Sequence, residues 1–242
     1  MGGTTCGGSR DSHGHARTLG TVGPVPLAAR TLLPPGARRI AAAVAVLAAT
    51  VVAVLAVQYA GDRTAGRVDG HLDRAVDALP AAADRFLRAT VVLGSPPVVT
   101  VAAGMLALVC LVARRPRAAV LAVVGPGLAG LITTFGKPVV DRTIGHDDTL
   151  AFPSGHTGGA TSLSLVCALL VASALGLRAR GAAVLAATSA LVAGGLVGTG
   201  MIVGGAHYPT DVVGGFCAGV AAVLGVALVL DAATLRRRVA VR

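Results

Sequence analysis

The sequence predicts an all-α, polytopic membrane protein: a six-transmembrane-helix bundle with an amphipathic extracytoplasmic helix between helices 1 and 2. Mean hydropathy is +0.77, 54% of residues are apolar and Trp is absent. Apolar runs of membrane-spanning length, about 17 to 25 residues, recur along the chain, and charge is confined to clusters between them. A soluble chain of 242 residues distributes its charge more evenly.

Residues 1–37 are rich in Gly, Ser, Thr, Arg and Pro and lack a long apolar core, so they read as a disordered cytoplasmic tail. The first apolar run begins too late and runs too long for a cleaved signal peptide. Spans are predicted at Ile40–Ala60, Val98–Ala113, Ala118–Phe135, His156–Leu177, Gly181–Gly204 and Val212–Leu230. Glycines and Pro126 inside the second and third are tolerable where neighbouring helices cover the backbone. Between the first two spans, Val68, Leu72, Val76 and Leu79 recur at helical spacing beside Asp69, Asp73, Arg74 and Asp77. That pattern predicts an amphipathic helix on the membrane surface, with nothing in it that suggests chemistry.

Arginines cluster in every second loop: Arg38 and Arg39, then Arg114, Arg115 and Arg117, then Arg178 and Arg180, then Arg236 to Arg238. These loops and the two termini carry 14 Lys+Arg against two Asp, and the opposite side carries seven against nine. The positive-inside rule therefore puts both termini in the cytoplasm, with residues 236–242 as a basic tail. The net charge of +10 reflects this topology. A nucleic-acid role lacks the basic soluble domain and stacking aromatics it requires. Cys110, Cys167 and Cys217 fall inside predicted spans and Cys6 in the tail, so no disulfide or metal site is implied.

The remaining polar groups gather on one side. The loop before the fourth span, GKPVVDRTIGHDDTLAFPSGH, holds Lys137, Asp141, Arg142, His146, Asp147, Asp148, Ser154 and His156. Lys137 is the only lysine in the chain. The loop before the sixth span, GGAHYPTD, holds His207, Tyr208, Thr210 and Asp211. A helix starting near Ser154 presents unpaired N–H groups and the positive end of its dipole to that loop, which makes an anion site. Ser154 can cap the helix or donate to a phosphate oxygen, Gly155 lets the backbone approach closely, and His156 can deliver a proton. The plainer alternative is that Pro153 and Ser154 only start a helix and Gly155, Gly158, Gly159 and Ala160 only let helices pack. Pro209 favours the first turn of the sixth helix, so Asp211 can reach back to His207, fix its tautomer and leave the other ring nitrogen as a nucleophile. Asp147 and Asp148 read as a solvated loop, with no metal ligands among them.

These residues resemble the type 2 phosphatidic acid phosphatase superfamily, whose signatures are KxxxxxxRP, PSGH and SRxxxxxHxxxD. Pro153, Ser154, Gly155 and His156 match the second, and His207 and Asp211 the catalytic end of the third. The resemblance implies a six-helix membrane phosphatase domain over residues 38–235. It would hydrolyse a lipid phosphate or diphosphate through a phosphohistidine, without cofactor or metal. By that resemblance His207 attacks phosphorus, Asp211 orients it, and His156 protonates the leaving oxygen and then activates water. Lys137, Arg142, Ser154 and Gly155 would hold the phosphoryl oxygens. Two family arginines are missing: Ile144 and Met201 stand at their positions, with Arg142 nearby as a substitute for one. A phosphotransferase with the same intermediate, and a non-catalytic transporter or scaffold on the same fold, stay open.

Overall fold

The computed structural model describes residues 2–3, 31–77, 79–144 and 149–240. The N-terminal stretch read as a tail therefore lies mostly outside the described residues, as do His146, Asp147 and Asp148. Eight α-helices are described: α1 (Arg38–Gln58), α2 (Arg67–Asp77), α3 (Ala81–Thr90), α4 (Pro96–Val112), α5 (Pro116–Val140), α6 (Gly155–Leu175), α7 (Ala179–Val203) and α8 (Pro209–Ala240). Two short strands, β1 (Thr143–Ile144) and β2 (Thr149–Leu150), pair antiparallel between α5 and α6.

Helices α1, α5, α6, α7 and α8 are each long and apolar enough to cross a membrane. A sixth crossing exists if the segment Ala81–Gly94 and α4, which meet at a 55° bend, count together. Alone, α4 has 17 residues, about 25 Å at 1.5 Å per residue against a hydrocarbon core of about 30 Å. The chain is thus a multi-pass helical membrane protein. Its outward surface agrees with that: Leu47, Val57, Leu108, Val112 and Val139 are exposed, where lipid tails would cover them.

The predicted amphipathic helix is two helices. Pro80 disfavours helix in the residue before it, so α2 stops at Asp77 and α3 restarts at Ala81. Within α2 the apolar Val68 and Leu72 are exposed while Asp69 is completely buried. Asp69 thus faces the protein while Val68 and Leu72 face outward, an orientation suited to lipid contact.

Helix α6 is the most enclosed span and packs against α5, α7 and α8. Small residues make that closeness possible. A side chain on Gly215 would strike the backbone carbonyl of Ser154, and one on Gly219 would meet the Gly158 carbonyl at 2.8 Å. Towards the other end of the bundle, Leu121, Val166 and Val223 form a core that includes Leu32 and Leu33. Those two leucines are held through their backbone: the Asp231 carboxylate accepts from both their N–H groups at 3.0 Å and pairs with Arg117 at 2.7 Å. Residues 31–37, the end of the predicted tail, are therefore packed against the bundle.

Candidate active site

Three helix ends meet at one end of the bundle. Ser154 caps α6, accepting from the Thr157 N–H at 3.4 Å and lying 3.0 Å from the Thr157 hydroxyl. Its own N–H donates to the main-chain oxygen of Asp211 at 3.0 Å, which ties the start of α6 to the start of α8. Among the described residues, Lys137, His156, His207 and Asp211 converge here. His156 stands half-buried in the first turn of α6. Lys137, in the last turn of α5, donates to the Leu150 carbonyl at 2.8 Å. His207 and Asp211 are buried, the first just before α8 and the second in its first turn. His156 is close enough to His207 and Lys137, and Lys137 to Asp211, for their charges to interact.

The Asp211 carboxylate lies 3.7 Å from His207 Nδ1, an ion-pair distance that is too long for a hydrogen bond. His207 Nδ1 is buried without a hydrogen-bond partner. The direct bond predicted from the sequence is absent because the carboxylate is engaged elsewhere. Its Oδ1 accepts from Arg142 Nη1 at 2.5 Å and its Oδ2 from the Tyr208 N–H at 2.9 Å.

Arg142, read from the sequence as a holder of phosphoryl oxygens, is the largest fully buried side chain described, with no exposed surface. Its Nη2 donates to Asp69 Oδ2 at 2.7 Å, and its Nη1 reaches Thr210 Oγ1 at 2.7 Å as well as Asp211. The guanidinium carbon lies 4.1 Å from the ring centre of Tyr59 and 4.6 Å from that of Tyr208, the only two tyrosines in the chain. Two carboxylates and two aromatic rings surround this cation, and its Nε is buried without a hydrogen-bond partner. Ser154 is likewise buried and occupied with capping, the plainer of its two predicted roles. A side chain on Gly155 would meet only the Thr133 hydroxyl, at 3.7 Å. The first-turn amides of Gly155 and His156 are among those that helix geometry leaves unpaired.

Sequence reasoning missed Asp69. It accepts from the Thr210 N–H at 2.9 Å and the Gly66 N–H at 3.2 Å, besides Arg142. The one available signal was an acid three residues after Gly66 at a helix start, a capping arrangement with no hint of its distant partners.

Beside His207 opens a cavity of about 300 Å³, lined also by Val76, Ile144, Ile202, Val203, Gly205 and Tyr208. Ile144, at a missing family arginine's position, faces this space. Met201, at the other, is buried in α7.

Residues 130–235 match the family model described as PAP2 superfamily. A search of curated proteins finds no match. Among solved structures, the chain is similar to the crystal structure of a transmembrane PAP2 type phosphatidylglycerolphosphate phosphatase from Bacillus subtilis. Identity is 18% and the TM-score 0.54, over 82% of this chain and 97% of that one. The likeness at that identity is one of fold. Lys137, His156, His207 and Asp211 all fall inside the stretch that matches the family model.

Proposed function

We propose that the protein is a membrane phosphatase that hydrolyses a lipid phosphate or diphosphate through a phosphohistidine on His207. The observation that carries this is the convergence of His207, Asp211, His156 and Lys137 at the α6 and α8 N-termini, beside a cavity that His207 lines. Nδ1 of His207 faces Asp211, which leaves Nε2 to attack. The P–N bond forms as the P–O bond to the lipid breaks, and His156 protonates the departing oxygen. Water, deprotonated by His156, then attacks phosphorus, the P–N bond breaks and phosphate leaves. Lys137 and the Gly155 and His156 amides hold the charge that spreads over the phosphoryl oxygens.

Candidate substrates are phosphatidic acid, phosphatidylglycerol phosphate and polyprenyl phosphate or diphosphate. The description of the similar Bacillus subtilis structure makes phosphatidylglycerol phosphate the first to assay. The distribution of arginines favours cytoplasmic termini and a site that takes its lipid from the outer leaflet. Ile144 and Met201, where the family carries arginines, favour the alternative of a non-catalytic scaffold. The test is phosphate release by the purified protein from each lipid, with EDTA present. Release that His207→Ala abolishes supports the reading, and transfer to an added alcohol in place of water would make the protein a phosphotransferase. No release from any lipid, or equal release by His207→Ala, overturns it.

A further inference from the structure

Asp69 belongs to α2, 138 positions before His207 in the chain, yet its carboxylate is wholly buried and fully used. Oδ1 accepts from the Thr210 N–H in the first turn of α8. Oδ2 accepts from Arg142 Nη2 at 2.7 Å, from Thr210 Oγ1 at 3.1 Å and from the Gly66 N–H that starts α2. Arg142 in turn carries Asp211, and Asp211 faces His207. A buried arginine shared by two carboxylates is fixed in the plane of its fork, and stacking between Tyr59 and Tyr208 removes its remaining freedom.

We propose that Asp69 is a positioning residue for the nucleophile, acting through Arg142 and Thr210 to hold the Asp211 carboxylate turned towards His207. It touches neither the phosphoryl group nor the cavity, but Val76 of the same helix does line that cavity. Helix α2 is thereby part of the active site, both a wall of the cavity and the anchor of the catalytic carboxylate. The charge balance fits this role. With both carboxylates ionised, Arg142 neutralises one and leaves one negative charge to stabilise a cationic His207. Without Asp69, Arg142 draws on Asp211 alone.

The inference rests on His207 being the nucleophile, so His207→Ala is measured first. If that variant still turns over, the functional reading fails and this inference with it. If it is inactive, Asp69→Asn is assayed for kcat and KM across pH. The charged groups facing His207 are Asp211 on α8, Lys137 on α5 and His156 on α6, with Arg142 behind, and none of them changes in this variant. Removing the Asp69 charge should make the His207 imidazolium easier to deprotonate, moving the acidic limb of kcat/KM to lower pH. It should also lower kcat about tenfold, the scale of one lost charge-assisted hydrogen bond. Asp69→Glu, which keeps the charge, should restore the limb. An acidic limb unmoved in folded Asp69→Asn overturns the proposal, whatever happens to kcat, because a merely structural carboxylate would lower only the active fraction. Should Asp69→Asn not fold, Thr210→Val cuts one link while keeping every charge. It should lower kcat with KM held, and wild-type kcat there overturns the proposal.

Discussion

Arg142 is where chemistry read along the chain and chemistry in space diverge. Five residues after Lys137, it stood near the position of a family arginine, and its charge suited a phosphate. Its partners Asp69 and Thr210 come from segments 73 and 68 positions away, and no local pattern announces such contacts. The grouping of Lys137, His156, His207 and Asp211 was legible because each stands at a short spacing or a helix start. Arg142→Ala would leave Asp69 and Asp211 facing each other without their cation, and breaking a buried pair this way costs about 3–5 kcal/mol. The expected result is a large loss of thermal stability together with activity. Arg142→Lys keeps the charge, but one ammonium cannot span two carboxylates in a plane. It should lower kcat by about tenfold or more while the inhibition constant for inorganic phosphate stays within about twofold. A tenfold rise in that constant would return Arg142 to the phosphate. Lys137→Met is the complement, and should weaken phosphate inhibition by at least about tenfold, given roughly 1.5 to 3 kcal/mol for a charge-assisted contact.

At the scale of elements, the site depends on how closely α6 and α8 approach at their N-termini. Gly214 sits under the Phe152 ring, and Gly215 sits under the carbonyl of Ser154, whose N–H is bonded to Asp211. Gly215→Ala must push these helix starts apart, an overpacking cost of about 1–3 kcal/mol. Activity should fall further than the folded fraction does, because the displaced groups are the ones that set His156 against His207. Gly225→Ala, on the same helix with open space around it, serves as the control and should be neutral or stabilising by up to about 1 kcal/mol. Equal behaviour of the two variants, measured as kcat against thermal midpoint, would mean that the close approach has no bearing on the chemistry. The glycines themselves were visible in the sequence as packing residues. Which carbonyl each one admits depends on the register of one helix against another, and that register has no signature within a single segment. The same limit applied to α2: its spacing revealed an amphipathic helix, but only the fold turns Asp69 into the protein and pairs it with Arg142.

Over the whole molecule, charge and apolar length carried most of the information. Five of the six predicted spans correspond to helices long enough to cross a membrane, and the other to the short α4 beyond its 55° bend. Composition alone does not distinguish a broken crossing from a surface segment followed by a short span. The polar groups of the site lie at the α6 N-terminus, and the arginines Arg178 and Arg180 follow its C-terminus. Its 21 residues separate the two ends by about 30 Å, the thickness of the hydrocarbon core. The two ends therefore lie about one hydrocarbon thickness apart, and the arginine excess favours the proposal that the second faces the cytoplasm. Thr149 and Arg178 are both exposed, and each is suitable for a single reporter cysteine. Thr149→Cys should react with a membrane-impermeant thiol reagent in intact cells, whereas Arg178→Cys should react only after permeabilisation. The reverse pattern would invert the protein and turn its site to the inner leaflet. A lipid phosphate made on the cytoplasmic face would then reach His207 without crossing the bilayer, so the labelling result decides which leaflet supplies the substrate.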